Sequence, residues 1–231
     1  MSSDSNLEAT SENGLPMKLA KLWLIGLLIA ACPTLKCQGK PETSSLSCWQ
    51  GKSFRTRTAK TDVRRSDAGY AYAEVRATAV VSGKSQLCGN RVRLYYSNDG
   101  RDYKVVYEDH RDMDGLGISI LGWSKKGDEL LFQTTEWPYE SDFYTLNRAF
   151  LYHPKSRMVQ DLHVADAVAR VFGPDCEFDE AVVGWHSDES LLVRVTKTPF
   201  ADSYDQVFCV QKPTRFLFGL EKRSMSRLDS Q

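Results

Sequence analysis

The chain has 231 residues, 30 Lys plus Arg against 30 Asp plus Glu, 42% hydrophobic residues and six cysteines. That length suits one domain with a substantial core plus a targeting segment. A net charge of zero, with both signs interspersed, lacks the electrostatic footprint of a nucleic-acid binder, so nucleic acid is not expected as a partner.

Residues 1–16, MSSDSNLEATSENGLP, carry Asp4, Glu8 and Glu12 without apolar periodicity and are expected to be disordered, or to lie upstream of a true start at Met17. Residues 17–31 read as a signal peptide: Lys18 and Lys21, an apolar run from Leu22 to Ala31 too short to span a bilayer, then small residues ahead of Cys32. Ile29-Ala30-Ala31-Cys32 resembles the lipobox of bacterial lipoproteins. The resemblance implies a lipid on the Cys32 thiol, a membrane partner through that anchor, and a place in the cell envelope; plain secretion is the alternative. Residues 32–52 are rich in Pro, Ser, Gly and Lys, as a tether is. The basic stretch RTRTAKTDVRR at 55–65, broken by Asp62, reads as a solvated face.

From Ser53 the chain is expected to form one β-rich domain. Ala71, Ala73, Val75, Ala77, Ala79 and Val81 alternate with Tyr72, Glu74, Arg76, Thr78 and Val80, which predicts a strand with one buried face. Ser82-Gly83-Lys84-Ser85 turns it into a second strand with Val92, Leu94 and Tyr96. Ser97-Asn98-Asp99-Gly100 then turns the chain into a third at Lys104–Tyr107.

The stretch GWSKKGDELLF, Gly122 to Phe132, places the turn Lys125-Lys126-Gly127-Asp128 between two apolar strands. Gly127 is suited to positive φ, Trp123 to covering the hairpin end, and Leu130 and Phe132 to one face. A second copy follows at VGWHSDESLLVRV, keeping Gly184, Trp185, Leu191 and Leu192. Each copy has a hairpin-like segment upstream, LYYSNDGRDYKVVYED and FLYHPKSRMVQDL, giving a repeat of about sixty residues. WSKKGDELLF is similar to the W-S-P-D-G-x-x-L-x-F signature of TolB-type β-propeller repeats, with Lys125 and Lys126 in place of its Pro and Asp. The resemblance implies blade-like antiparallel hairpins, either a reduced propeller-like stack or a two-sheet β architecture.

One helix is expected within Leu162–Cys176, with Val164, Val168, Val171 and Phe172 on one face and Gly173-Pro174 as its stop. Strand pattern returns at Phe208 and Val210 and at Phe216, Phe218 and Leu220, and residues past Lys222 are expected to fray.

An exported chain meets an oxidising compartment. With Cys32 lipidated and Cys37 left in the tether, Cys48, Cys88, Cys176 and Cys209 are the candidates for two disulfides. Three connectivities are open; the shorter loops favour Cys48 with Cys88 and Cys176 with Cys209.

No nucleophile elbow, Ser-x-x-Lys, Walker loop, dinucleotide fingerprint or H-E-x-x-H occurs, so no catalytic residue and no cofactor are expected. His110, His153, His163 and His186 have no ligand spacing. Asp109, Asp112 and Asp114 ahead of Gly115 miss the calcium-loop pattern, so no metal is expected. The candidate binding segment is EWPYESDFY, where Trp137, Tyr139, Asp142 and Tyr144 offer aromatic rings among acids to an envelope protein or a glycan. The competing reading makes Trp137 and Tyr139 core residues at the domain's end. The sequence is thus read as a binding or scaffolding module of the envelope, with a hydrolase whose triad is not locally visible, or a secreted inhibitor, as rivals.

Overall fold

The computed structural model describes residues 42–44, 56–82, 85–112, 114–138, 145–173, 176–197, 207–208, 210 and 212–228. The chain is mainly β, as the alternation requires. Its strands are β1 (Glu42–Ser44), β2 (Arg57–Lys60), β3 (Arg64–Ser66), β4 (Gly69–Ser82), β5 (Ser85–Ser97), β6 (Lys104–Arg111), β7 (Asp114–Trp123), β8 (Leu130–Pro138), β9 (Leu146–His153) and β10 (Met158–Asp161). The single described helix, α1 (Val164–Phe172), precedes β11 (Cys176–Glu177), β12 (Asp179–Ser187), β13 (Ser190–Thr196), β14 (Val207–Phe208), β15 (Thr214–Gly219) and β16 (Ser224–Arg227).

Three antiparallel sheets result. The first runs β2-β4-β5-β6 with β3 also on β4, the middle one β1-β7-β8-β9-β10, and the third β12-β13-β15-β16. The middle sheet is buried on both faces, because its strands alternate apolar residues to either side. Leu116, Ile118, Ile120, Leu130, Phe132, Phe150 and Tyr152 meet Ala71, Ala73, Val75, Val92 and Leu94 of the first sheet. Leu131, Ala149 and Leu151 point the other way, into a core with Val182, Trp185, Leu191, Val193, Val195, Phe216 and Phe218 of the third. The small residues of β4 let the bulky row of the middle sheet pack close, and Ala71, Ala73, Val75 and Ala77 are all fully buried.

The doubled hairpin has a geometric reason. Gly122 (φ 132) and Gly184 (φ 154) each sit at an irregularity in the ladder just ahead of a tryptophan. An L side chain is strained there, and the kink turns the peptide away from its partner strand. The Trp185 Nε1–H then donates to the Gly122 carbonyl oxygen of the preceding sheet at 3.0 Å, and the Trp123 Nε1–H donates to the Arg64 carbonyl oxygen at 3.4 Å. Arg64 therefore takes the place of Gly122 one sheet earlier, and β3–β4 is a further copy of the rung in which Arg65, its guanidinium 5.5 Å from the Tyr70 ring centroid, stands where the others have Trp. The turns stack as well: the Lys126 N–H donates to Asp188 Oδ1 at 3.1 Å, and Gly127, at the expected positive φ of 75°, faces Ser66.

Four expectations change. The tether contributes β1, paired through Glu42, Thr43 and Ser44 with Ile120, Ser119 and Ile118, so the sheet system begins before Ser53. Three sheets stack, so of the two architectures expected the two-sheet one does not hold. Val171 is 49% exposed, because α1 buries only the Val164, Ala167 and Val168 stripe, while Phe172 turns onto Phe216 and Phe178. Past Lys222 the chain forms β16, held by pairing to β15 and by Met225 against the third-sheet core, in place of fraying.

Candidate functional site

At the end of the stack opposite the Trp turns lie the start of β7, the end of β8, the start of β9 and the start of β12. Side-chain alternation along β8 splits this end into two neighbourhoods.

On the face turned to the first sheet, Glu136 Oε2 accepts from Arg111 Nε at 2.8 Å, and Arg111 Nη1 also donates to Asp109 Oδ1 at 2.7 Å. Asp109, read from sequence as part of a possible cation loop, is thus engaged by a guanidinium, and its carboxylate also accepts the His110 N–H. Below this pair Tyr107 packs on Phe132 and Phe150, and burial pushes its hydroxyl up to about 12. Arg148 bridges to Asp161 at 2.7 Å and lies over the Phe150 ring. The cluster is a closed set of ion pairs on a shelf of buried rings; such partly exposed pairs orient side chains more than they stabilise.

On the face turned to the third sheet stands Trp137. Its cross-strand partner is Gly115, and a Cβ there would lie 2.0 Å from the Trp137 ring, so the indole lies flat on the glycine backbone. Gly115 is required by that close approach, a pairing in which an aromatic ring covers the surface a glycine leaves bare. Trp137 is half-buried: braced on one side, part of its surface in solvent.

Beside it runs a partly buried polar chain. Asn147 Oδ1 accepts from Gln133 Nε2 at 3.1 Å and from Thr135 Oγ1 at 2.8 Å; Asn147 Nδ2 donates to the Glu180 carbonyl oxygen at 2.7 Å; Gln133 Oε1 accepts the Val182 N–H at 3.1 Å. The two amide side chains therefore serve the edge of β12 as a neighbouring strand would, satisfying a carbonyl and an N–H two residues apart. The Glu180 side chain hangs from the same edge, and burial pushes its carboxyl up to about 7, with the charge of Asp179 acting in the same direction. Burial raises the Asp179 carboxyl too.

Of the residues singled out from sequence, Trp137 lies at this end, braced as described. Tyr139, Asp142 and Tyr144 lie outside the described residues, as do Cys32, Cys48 and Cys209; for Cys88 the backbone alone is described, in β5 opposite Ala79. Cys176 lies on β11, paired in parallel with β14 through Val207, and its Sγ is 2.7 Å from the Phe172 carbonyl oxygen. Sequence reasoning missed Gln133, Asn147 and Glu180. Each sits inside or beside an apolar run and acts on a partner 14 to 49 residues away.

Among the described residues no group of His, Cys, Asp and Glu is arranged to hold a metal ion, and no helix is long and apolar enough to cross a membrane. No protein-family profile, curated protein or solved structure matches the chain.

Proposed function

We propose that this chain is an exported, lipid-anchored binding or scaffolding module of the bacterial cell envelope, tethered through Cys32 and presenting the Trp137 end of the sheet stack to an envelope protein or a glycan. The observation that carries the reading is Trp137 itself: a half-buried indole set against the Gly115 backbone, at the same end of the stack as the ion-paired Arg111 and Glu136, which lie on the other face. A braced aromatic loses little side-chain entropy on binding, and a partly exposed ring at a polar strand end suits a wet recognition surface. The backbone continues from Pro138 directly into Tyr139, Asp142 and Tyr144, so all four aromatic and acidic candidates belong to one segment.

The signal anatomy before Cys32 supports export, and the blade-like rungs support a relation to TolB-type repeats. For the sulfurs we propose Cys176 with Cys209 and Cys48 with Cys88. The parallel pairing of Cys176 with Val207, two residues from Cys209, supports the first bridge, and Cys176 is not a free thiol.

The test is co-sedimentation with purified cell-wall sacculi and pull-down from envelope extract, comparing wild type with Trp137→Ala. Binding lost in the variant is the expected result. Equal recovery of every bound component counts against this surface.

A further inference from the structure

We propose that the outer face of the third sheet docks the first sheet of a second copy of this chain, repeating between molecules the contact that joins successive sheets within one. Strand register carries the inference. In the middle sheet Gly122, Leu131 and Leu151 are cross-strand partners in one row, and that row is what the third sheet covers: Leu131 and Leu151 are buried in the shared core, and the Gly122 carbonyl oxygen accepts from Trp185. In the third sheet Gly184, Leu192 and Leu217 form the same row at the same kink, with Gly184 at φ 154°. Leu191, Val193, Phe216 and Phe218 fill the core, so alternation points Leu192 and Leu217 the other way, outward from the stack. Both leucines are half-buried, and Val183, at the kink, is 41% exposed.

The first sheet carries the matching face. Arg65 and Tyr70 are cross-strand partners in the positions that Trp123 and Leu130 hold in the middle sheet and Trp185 and Leu191 in the third. Arg65 is exposed, lies over the Tyr70 ring and, like the indole it replaces, donates hydrogen bonds; in the assembly its acceptor is the Gly184 carbonyl oxygen of the second copy. One row further along the same face Tyr72 stacks on Tyr95 at 4.7 Å, and Val105, the partner of Tyr95, is 44% exposed. Both faces are apolar near the turns and charged beyond them: Lys60, Glu74, Arg93 and Glu108 make the next row of the first sheet, Arg194 and Arg215 that of the third. The carboxylates of Glu74 and Glu108 thus give the two third-sheet arginines a counter-charge. Cover takes the exposed valines and half-exposed leucines out of water. Because unlike faces meet, the contact is head-to-tail.

Sedimentation equilibrium of the purified native protein over a wide concentration range tests this. The wild type is expected to form an assembly of more than one chain. Val183→Asp breaks the third-sheet face and Val105→Asp the first-sheet face, both at exposed positions; each variant is expected to keep its far-UV circular dichroism and to sediment as a single chain. Mixed in equal amounts, the two are expected to recover a two-chain species, because one intact face of each kind remains. Arg65→Ala is expected to weaken association about tenfold, the loss of one charge-assisted hydrogen bond. A wild type that stays a single chain throughout, an assembly that survives either valine substitution, or variants that remain single chains when mixed overturns the proposal. Should a valine variant fail to fold, association unchanged in Arg65→Ala overturns it.

Discussion

Replacing Trp185 by Phe removes one hydrogen bond and part of one ring while leaving an aromatic side chain in the core. In the native structure Trp185 is 8% exposed, donates to the Gly122 carbonyl oxygen at 3.0 Å, and packs in the core shared by the middle and third sheets. Losing the bond costs about 1 kcal/mol, and the smaller ring forfeits about 1 kcal/mol more of packing. For a chain of this size the sum corresponds to a Tm lowered by about 6 °C. The equivalent change at Trp123 strikes a longer bond, 3.4 Å to Arg64, from a half-buried ring, and is expected to cost about half as much. Equilibrium urea unfolding followed by far-UV circular dichroism measures both variants against wild type, and an unchanged m-value confirms that the same surface is exposed on unfolding. Should Trp185→Phe fall within about 0.3 kcal/mol of wild type, or Trp123→Phe cost more, the indole-to-carbonyl stitch is not what joins the sheets.

Gly115→Ala places a methyl 2.0 Å from the Trp137 ring, so it is expected to expel the indole, red-shift its fluorescence and destabilise the protein by about 2 kcal/mol. An unchanged spectrum would show that the ring does not lie on the glycine. Gly122→Ala meets no atom within 4 Å, yet φ is 132°; a loss of about 1–3 kcal/mol in thermal melts is expected from backbone strain alone, and a neutral result would contradict the kinked peptide. If Cys176 and Cys209 are bridged, the closed loop is about thirty residues, and reduction is expected to cost about 3–4 kcal/mol. Peptide mapping under non-reducing conditions reads the pair directly, and any other partner for Cys176 refutes the assignment.

The architecture was legible wherever local pattern and tertiary demand coincide. Alternation in β4 marked the face that the middle sheet covers, and Gly127 marked a turn that does take positive φ. The paired Gly-Trp steps marked two of the three rungs. The remaining rung, at Ser66–Gly69, was hidden because Arg65 stands where the others have Trp, and the carbonyl that defines its role belongs to the backbone, which has no sequence signature. β16 was hidden for a related reason: Ser224, Ser226 and Arg227 carry no apolar alternation, and pairing to β15 supplies the order. At the candidate site Trp137 was legible as a large ring in a polar segment. Gln133, Asn147 and Glu180 were not, since a side-chain amide serving a strand edge is defined by a partner far along the chain.

The mass of the intact native protein, taken from its source membranes without reduction, tests the central claim most directly. Export with lipid anchoring requires a chain that begins at Cys32, heavier than its sequence by the acyl groups and lighter by the hydrogens of its disulfides. An unmodified 26.1 kDa chain with all six thiols free would contradict it.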